Sequence, residues 1–156
     1  MLKITKLADY AIVILARMAN GGCTTTHTAR ELARFAKLPL PTVSKVLKDL
    51  GRAGIVASQR GVAGGYRLAH AAEAISVADV IDAVERPIAI TACSPESDVA
   101  CDLVGACPTE AGWLRINQVV RRALAEISLA SMATPEPRLV PLSRLRASVA
   151  HAERTQ

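Results

Sequence analysis

Aromatic side chains are nearly missing from this chain, whose 156 residues hold one Trp, two Tyr and one Phe. A core must then be assembled from Ala, Val, Leu and Ile, as helix-rich domains commonly do. Long apolar runs are missing too. No stretch approaches the roughly 18 residues that a membrane span requires. The opening "MLKITKLADY" also lacks the continuous apolar core and cleavage site of a secretory signal. The expected location is cytoplasmic, away from any membrane. No Ser/His/Asp or Cys/His arrangement falls within an interpretable motif, and His27, His70 and His151 have no ligand spacing. Neither an enzyme nor a small-molecule substrate is expected. Lastly, the cysteines Cys93, Cys101 and Cys107 have no fourth beside them; Cys23 stands far off in sequence and reads as structural.

What is present is unevenly spread. The formal net charge is +5, but residues 1–70 hold eleven Lys/Arg against three Asp/Glu, residues 71–108 one against seven, and residues 109–156 seven against four. A basic first half is the electrostatic footprint of a phosphate-backbone binder, whose affinity comes largely from counterion release. A merely solvated basic surface accounts for the charge equally well on its own.

The order of elements decides between them. From Lys6 to Met18, Leu7, Ala11, Ile14, Leu15 and Met18 recur at helical spacing. On the other side of that helix, Asp9 is the lone carboxylate among Ile12, Val13 and Ala16, so the helix is expected to be covered on two sides. Asp9 also reads as an acid placed to suit the helix dipole. Thr28 with Glu31 forms a capping box that opens a second helix. "LPLP" forces a turn, and Pro41 suits the first position of a third helix that stops at Gly54. In that helix Val43, Val46, Leu47 and Leu50 face inward and Lys45, Lys48 and Arg52 outward. This is a helix-turn-helix with a basic outer face.

The following "IVASQRGVAGGYRLA" reads as a β-hairpin with a glycine-rich tip, that is, a wing. It carries no "GK[ST]" and opens no helix, so it is not a nucleotide cradle. Candidate contacts to double-stranded DNA are Thr42, Ser44, Lys45, Lys48 and Arg52 on the helix and Arg60, Gly64 and Arg67 on the wing, where glycine admits a phosphate and arginine suits a minor groove.

Beyond His70, Ser76 and Asp79 cap a short helix whose apolar face is Val77, Val80, Ile81 and Val84, and Pro87 ends it. A loop carries the three cysteines. A single long helix is then expected from about Thr109 to Met132, with Trp113, Ile116, Val120, Ala123 and Ile127 as a stripe for helix-on-helix packing. Homodimerisation through it is the economical use, and folding back on its own domain the alternative. The fold class is therefore mainly α with a small β-wing: a winged helix-turn-helix domain over 1–70, a connecting helix and cysteine loop over 71–108, a dimerisation helix over 109–133, and a Pro-rich flexible tail over 134–156.

Seven residues separate Cys93 from Cys101 and five separate Cys101 from Cys107. Soft thiolates within one loop suit zinc or an iron–sulfur cluster. Zinc fingers prefer closer pairs, so the wider spacing favours a cluster, while isolated buried or reactive thiols remain the plain alternative.

The segments "LKITKLADYAIVILARMA", "LPLPTVSKVLKDLGRAGIVASQRGVAGGYRLA" and "ISVADVIDAVE", with the three-cysteine loop, resemble the Rrf-two (Rrf2) family of winged-helix iron–sulfur transcription regulators over roughly residues 1–132. That family includes regulators of Isc iron–sulfur assembly and nitric-oxide-responsive Nsr repressors. "ITKLADYAIV", "PIAITAC" and "RIN…SLASM" look most like the branch regulating the SUF assembly operon. The resemblance implies a homodimeric DNA-binding repressor, with Cys93, Cys101 and Cys107 as ligands to an iron–sulfur cluster. Isc-type members place a histidine three positions after the last cysteine, where this chain has Glu110. In the nitric-oxide branch a first-helix aspartate from the partner subunit caps a four-iron cluster, and Asp9 matches it. The resemblance thus favours a four-iron cluster with Asp9 of the other subunit as fourth ligand; Glu110, water or a small thiol are the substitutes. A cluster between the winged domain and the dimer helix would set the spacing of two recognition helices, near one DNA turn of about 34 Å. Rival readings are a metal-free thiol-switch regulator and an iron–sulfur carrier that uses its basic half on a protein partner.

Overall fold

The helix α1 (Lys6–Asn20) is the element on which the others are laid. Thr5 caps it, its hydroxyl accepting the Leu7 and Ala8 amides, and Ala8, Ala11, Ile14, Leu15 and Met18 are buried along one face. Around that face pack α2 (Ala29–Ala36), α3 (Leu40–Arg52), the wing strand β2 (Gly65–Leu68), α4 (Val77–Val84) and α6 (Leu129–Ala133). The computed structural model describes residues 4–61, 64–85, 88–97 and 99–134. Pro87, His151 and the tail reading beyond Thr134 lie outside them.

Local chemistry explains most boundaries. Both capping boxes form: the Thr28 hydroxyl accepts the Glu31 amide while the Glu31 carboxylate accepts the Thr28 amide at 2.8 Å, and Ser76 and Asp79 do the same for α4. After α3, Gly54 takes a positive φ of 74° and the Ile55 amide reaches the Leu50 carbonyl, satisfying an otherwise orphaned group. α3 begins at Leu40, so Pro41 takes the second helical position where the first was expected; its missing N–H costs nothing there either.

The wing pairs β1 (Val56–Gln59) with β2 in antiparallel register, Val56 opposite Leu68 and Gln59 opposite Gly65. A third segment joins it, because His27 and Tyr66 exchange both backbone hydrogen bonds at 2.8 Å. The close approach explains the glycines. A Cβ on Gly65 would stand 2.6 Å from the His27 carbonyl oxygen, and one on Gly64 2.4 Å from that of Gln59. Closure of the hairpin on its own chain therefore requires them, whatever they do for a phosphate.

The long helix expected over Thr109–Met132 is two helices. α5 (Glu110–Ala125) ends, the chain runs extended through Ser128, and α6 follows with Ser128 as its cap. The extended piece is spent on tertiary backbone pairing: the Leu129 amide donates to the Ile75 carbonyl at 2.7 Å and the Val77 amide to that of Ile127 at 2.9 Å. Leu129 is thereby driven into the core, a burial that contributes about 2 kcal/mol. A short 3-10 turn, Ala72–Ala74, lies against α6. The expected stripe stays largely open: Trp113 and Ile116 on α5 and Ile127 just beyond it are each at least 40% exposed, and Val120 is half-buried. α1 likewise covers only one side: Asp9 and Val13 are exposed, while Ile12 and Ala16 are half-buried.

Replacing Gly65 by Ala should push β2 off His27 and lower stability by about 2 kcal/mol. A thermal melt would detect this as a clear fall in Tm, and an unchanged Tm would mean that the wing tolerates the displacement.

Candidate DNA interface and cysteine loop

α3 presents Ser44, Lys45, Lys48 and Arg52 to solvent, with Thr42 half-buried at its start. Its apolar face, Val43, Val46, Leu47 and Leu50, is buried against the rest of the domain, which orients the basic face outward. One residue missed in the sequence sits between the cations. Asp49 is 7% exposed, and its carboxylate pairs with Lys45 Nζ at 3.1 Å and with the Arg52 guanidinium. Burial alone would raise this carboxyl's pKa, yet hydrogen bonds and charge from Lys45 and Arg52 outweigh it and hold it below its ordinary value. The only sequence signal for it was the i, i+4 and i, i+3 spacing of opposite charges. On the wing, Arg60 and Arg67 are exposed and Gly64 is half-buried. Arg67 Nη1 lies 3.5 Å from the Leu68 carbonyl, the one hydrogen bond of this side chain among the described residues.

The cysteine loop runs from Ile88 to the start of α5. Cys93, Cys101 and Cys107 are partly exposed free thiols, and Cys23 is exposed. Cys93 Sγ lies 3.2 Å from the Thr91 hydroxyl and Cys107 Sγ 3.3 Å from that of Thr109. The Thr109 hydroxyl, then its backbone N–H, lowers the Cys107 thiol from its ordinary value and favours the thiolate. Soft, accessible, reduced thiols in one loop fit the donor chemistry of an iron–sulfur cluster. Among the described residues no three Cys, His, Asp or Glu side chains converge on one point, so a single chain does not pre-form a metal centre. Glu110, where the resemblance expects histidine, accepts the Gly105 amide at 2.9 Å and so closes the end of the loop. Asp9 stands exposed on α1 beside Val13 and is not gathered with the thiols.

A family model described as an iron-dependent transcriptional regulator, Rrf2, matches residues 4–135. The chain belongs to the Rrf2 family. It is similar to "Protein rrf2" of Nitratidesulfovibrio vulgaris, 29% identical over 131 residues that cover 84% of this chain and 87% of the other. It is 27% identical to the HTH-type transcriptional regulator IscR of Vibrio parahaemolyticus over 133 residues, covering 85% and 78% of the two chains. Among solved structures it resembles CymR, the global cysteine regulator of Bacillus subtilis, with a TM-score of 0.70, 27% identity and coverage of 88% and 100%.

As an Rrf2 member the protein is a DNA-binding transcriptional regulator and not an enzyme. In the described residues no helix is long and apolar enough to cross a membrane. For such a regulator Asp49 has a definite electrostatic effect: it offsets one of the two cations it joins and restrains both. Asp49→Asn should raise affinity for random-sequence duplex at low salt and steepen the dependence of log affinity on log salt by about one unit. Fluorescence anisotropy across a salt series measures this. An unchanged slope would place Lys45 and Arg52 away from the phosphates.

Proposed function

We propose that this Rrf2 regulator is a homodimeric repressor that holds an iron–sulfur cluster through Cys93, Cys101 and Cys107, senses cluster status, oxidants or nitric oxide, and controls iron–sulfur assembly genes of the SUF type. The observation that carries the reading is the placement of the three-thiol loop between the winged domain and a helix whose apolar stripe faces solvent. An exposed row of Trp113, Ile116 and Ile127 calls for a cover. A second copy supplies it and gives the two-fold symmetry of a two-fold operator. In that dimer the recognition helices present Thr42, Ser44, Lys45, Lys48 and Arg52 to successive major grooves, and Arg60, Gly64 and Arg67 follow the flanking backbone.

A bound cluster supplies a link that responds to oxidants, nitric oxide and iron supply. Cys93, Cys101 and Cys107 contribute three thiolates, and Asp9 of the other subunit is the proposed fourth ligand to a four-iron cluster. Two facts support the aspartate: its exposed place beside Val13 on the side of α1 that its own chain leaves open, and the engagement of Glu110 with Gly105. Gathering the thiols draws the loop together at the head of α5 and so sets the spacing of the two winged domains.

A second reading is a metal-free thiol switch. The lowered Cys107 thiol and the lack of a pre-formed metal centre among the described residues favour it. Anaerobic purification separates the two, since a thiol switch gives colourless protein without iron or sulfide.

Holo and demetallated protein, titrated at fixed salt against a duplex selected from a random pool, should differ in affinity by about tenfold or more, as a typical coupling between sites gives. Equal affinities would dismiss the cluster as the switch. Asp9→Ala should alter the visible spectrum or shorten the cluster's lifetime in air; an unchanged spectrum and lifetime would remove Asp9 from the ligand set.

A further inference from the structure

The single residue of α5 that its own chain buries is polar: Asn117, 3% exposed. A leucine there would add apolar burial to a helix that has little. The amide has a different use. Asn117 Oδ1 accepts the backbone N–H of Ile90 at 3.1 Å, and Nδ2 approaches Glu96 Oε2 at 3.5 Å. The same Glu96 oxygen accepts the hydroxyl of Ser94, itself 4% exposed, at 2.9 Å. Two turns, Thr91 carbonyl to Ser94 amide at 3.0 Å and Ser94 carbonyl to Ser97 amide at 2.9 Å, fold the segment between these anchors. Cys93 lies inside it.

The side chain of asparagine is suited to the task because it donates and accepts at once, so one residue engages a main-chain N–H and a carboxylate. Without it the Ile90 N–H loses its acceptor and the half-buried Glu96 carboxylate a donor, and a buried alanine offers neither a replacement. One turn further along α5, Arg121 pairs with Asp82 of α4 at 2.9 Å. Asn117, Arg121 and the half-buried Leu124 thus form the face that α5 turns to its own chain, about 100° around the helix from Ile116. The other two thiols are held differently. Their part of the loop is tied at the head of α5, through Gly105 and Glu110.

We propose that Asn117 is the positioning residue for Cys93, locking that thiol's segment onto the helix that carries the apolar stripe, before and independently of any bound group. Its relevance to sensing rests on the reading of Cys93 as a cluster ligand or switch thiol. Through this lock a displacement of Cys93 is delivered to α5 one residue away from Ile116, in the middle of the stripe, whereas Cys101 and Cys107 act only at the helix end.

Timed alkylation of the reduced, metal-free full-length protein by iodoacetamide, resolved by cysteine with mass spectrometry, tests it. Exposed Cys23 serves as the internal standard. Asn117→Ala should accelerate Cys93 by roughly fivefold, the value of a lost hydrogen bond, and leave Cys101 and Cys107 unchanged relative to Cys23. Asn117→Asp keeps an acceptor for Ile90 but sets a carboxylate against Glu96, so Cys93 should again accelerate. Adding Glu96→Gln restores a donor and acceptor pair with the roles exchanged, and should return Cys93 toward the wild-type rate. Anaerobically loaded samples should follow the same order in their loss of visible absorbance in air.

An unchanged Cys93 rate in a folded Asn117→Ala overturns the proposal, as does equal acceleration of all three loop thiols. If Asn117→Ala does not fold, the Asn117→Asp protein with and without Glu96→Gln decides, and failure of the exchange to restore Cys93 is fatal. Wild-type protein that takes up no iron would defeat the cluster reading alone, because the alkylation rates judge the role of Asn117 without metal.

Discussion

Two backbone hydrogen bonds hold the stretch after α5 to the start of α4: Leu129 N–H to the Ile75 carbonyl and Val77 N–H to that of Ile127. They join the stretch before α4 to the stretch after α5, so the chain between them becomes a closed excursion whose two ends are fixed beside α1. The cysteine loop lies within that excursion. Because Leu129 is buried where the strands meet, opening the pairing would expose core as well as break hydrogen bonds.

With the ends secured, α5 is attached by few and mainly polar contacts. Arg121 reaches Asp82, Asn117 reaches the segment around Cys93, and Leu124 meets the core edge. Its largest apolar side chains apart from Leu124, Leu114 and Val120 are left exposed. The helix uses amide and guanidinium groups toward its own chain and keeps Trp113 and Ile116 outward, with Ile127 exposed just beyond its end; in the proposed dimer these are the side chains a second copy would cover. The recognition helix has the opposite construction. Four buried aliphatic residues fix α3, and Asp49 fixes the cations on its outer face. In the proposed dimer, the helix offered to DNA is thus fixed by apolar burial, and the helix offered to the second copy is tied to its own chain largely by polar groups.

Much of this is legible in the sequence. Thr28 with Glu31 and Ser76 with Asp79 are caps because of what their side chains bond three residues away, a relation that sequence states directly. Gly54 after α3 and the paired strands around the wing were legible for similar reasons. The break between α5 and α6 was not, since the apolar spacing runs through Ile127 without a glycine or proline and Ser128 alone marks it. Asn117 carried no signal either. A polar residue in a helical pattern reads as solvated until something polar is found to face it.

The sequence by itself determined what depends on neighbours along the chain: the helices up to α4, where they are capped, which thiols share a loop, and which half is basic. Tertiary structure alone decided which face of α5 meets its own chain, that Gly65 must pass within reach of the His27 carbonyl, and that Asp49 is buried between two cations. The reason is physical. Helical periodicity states which residues share a side, whereas what covers that side depends on groups brought from far along the chain, such as Ile90 and Glu96 to Asn117.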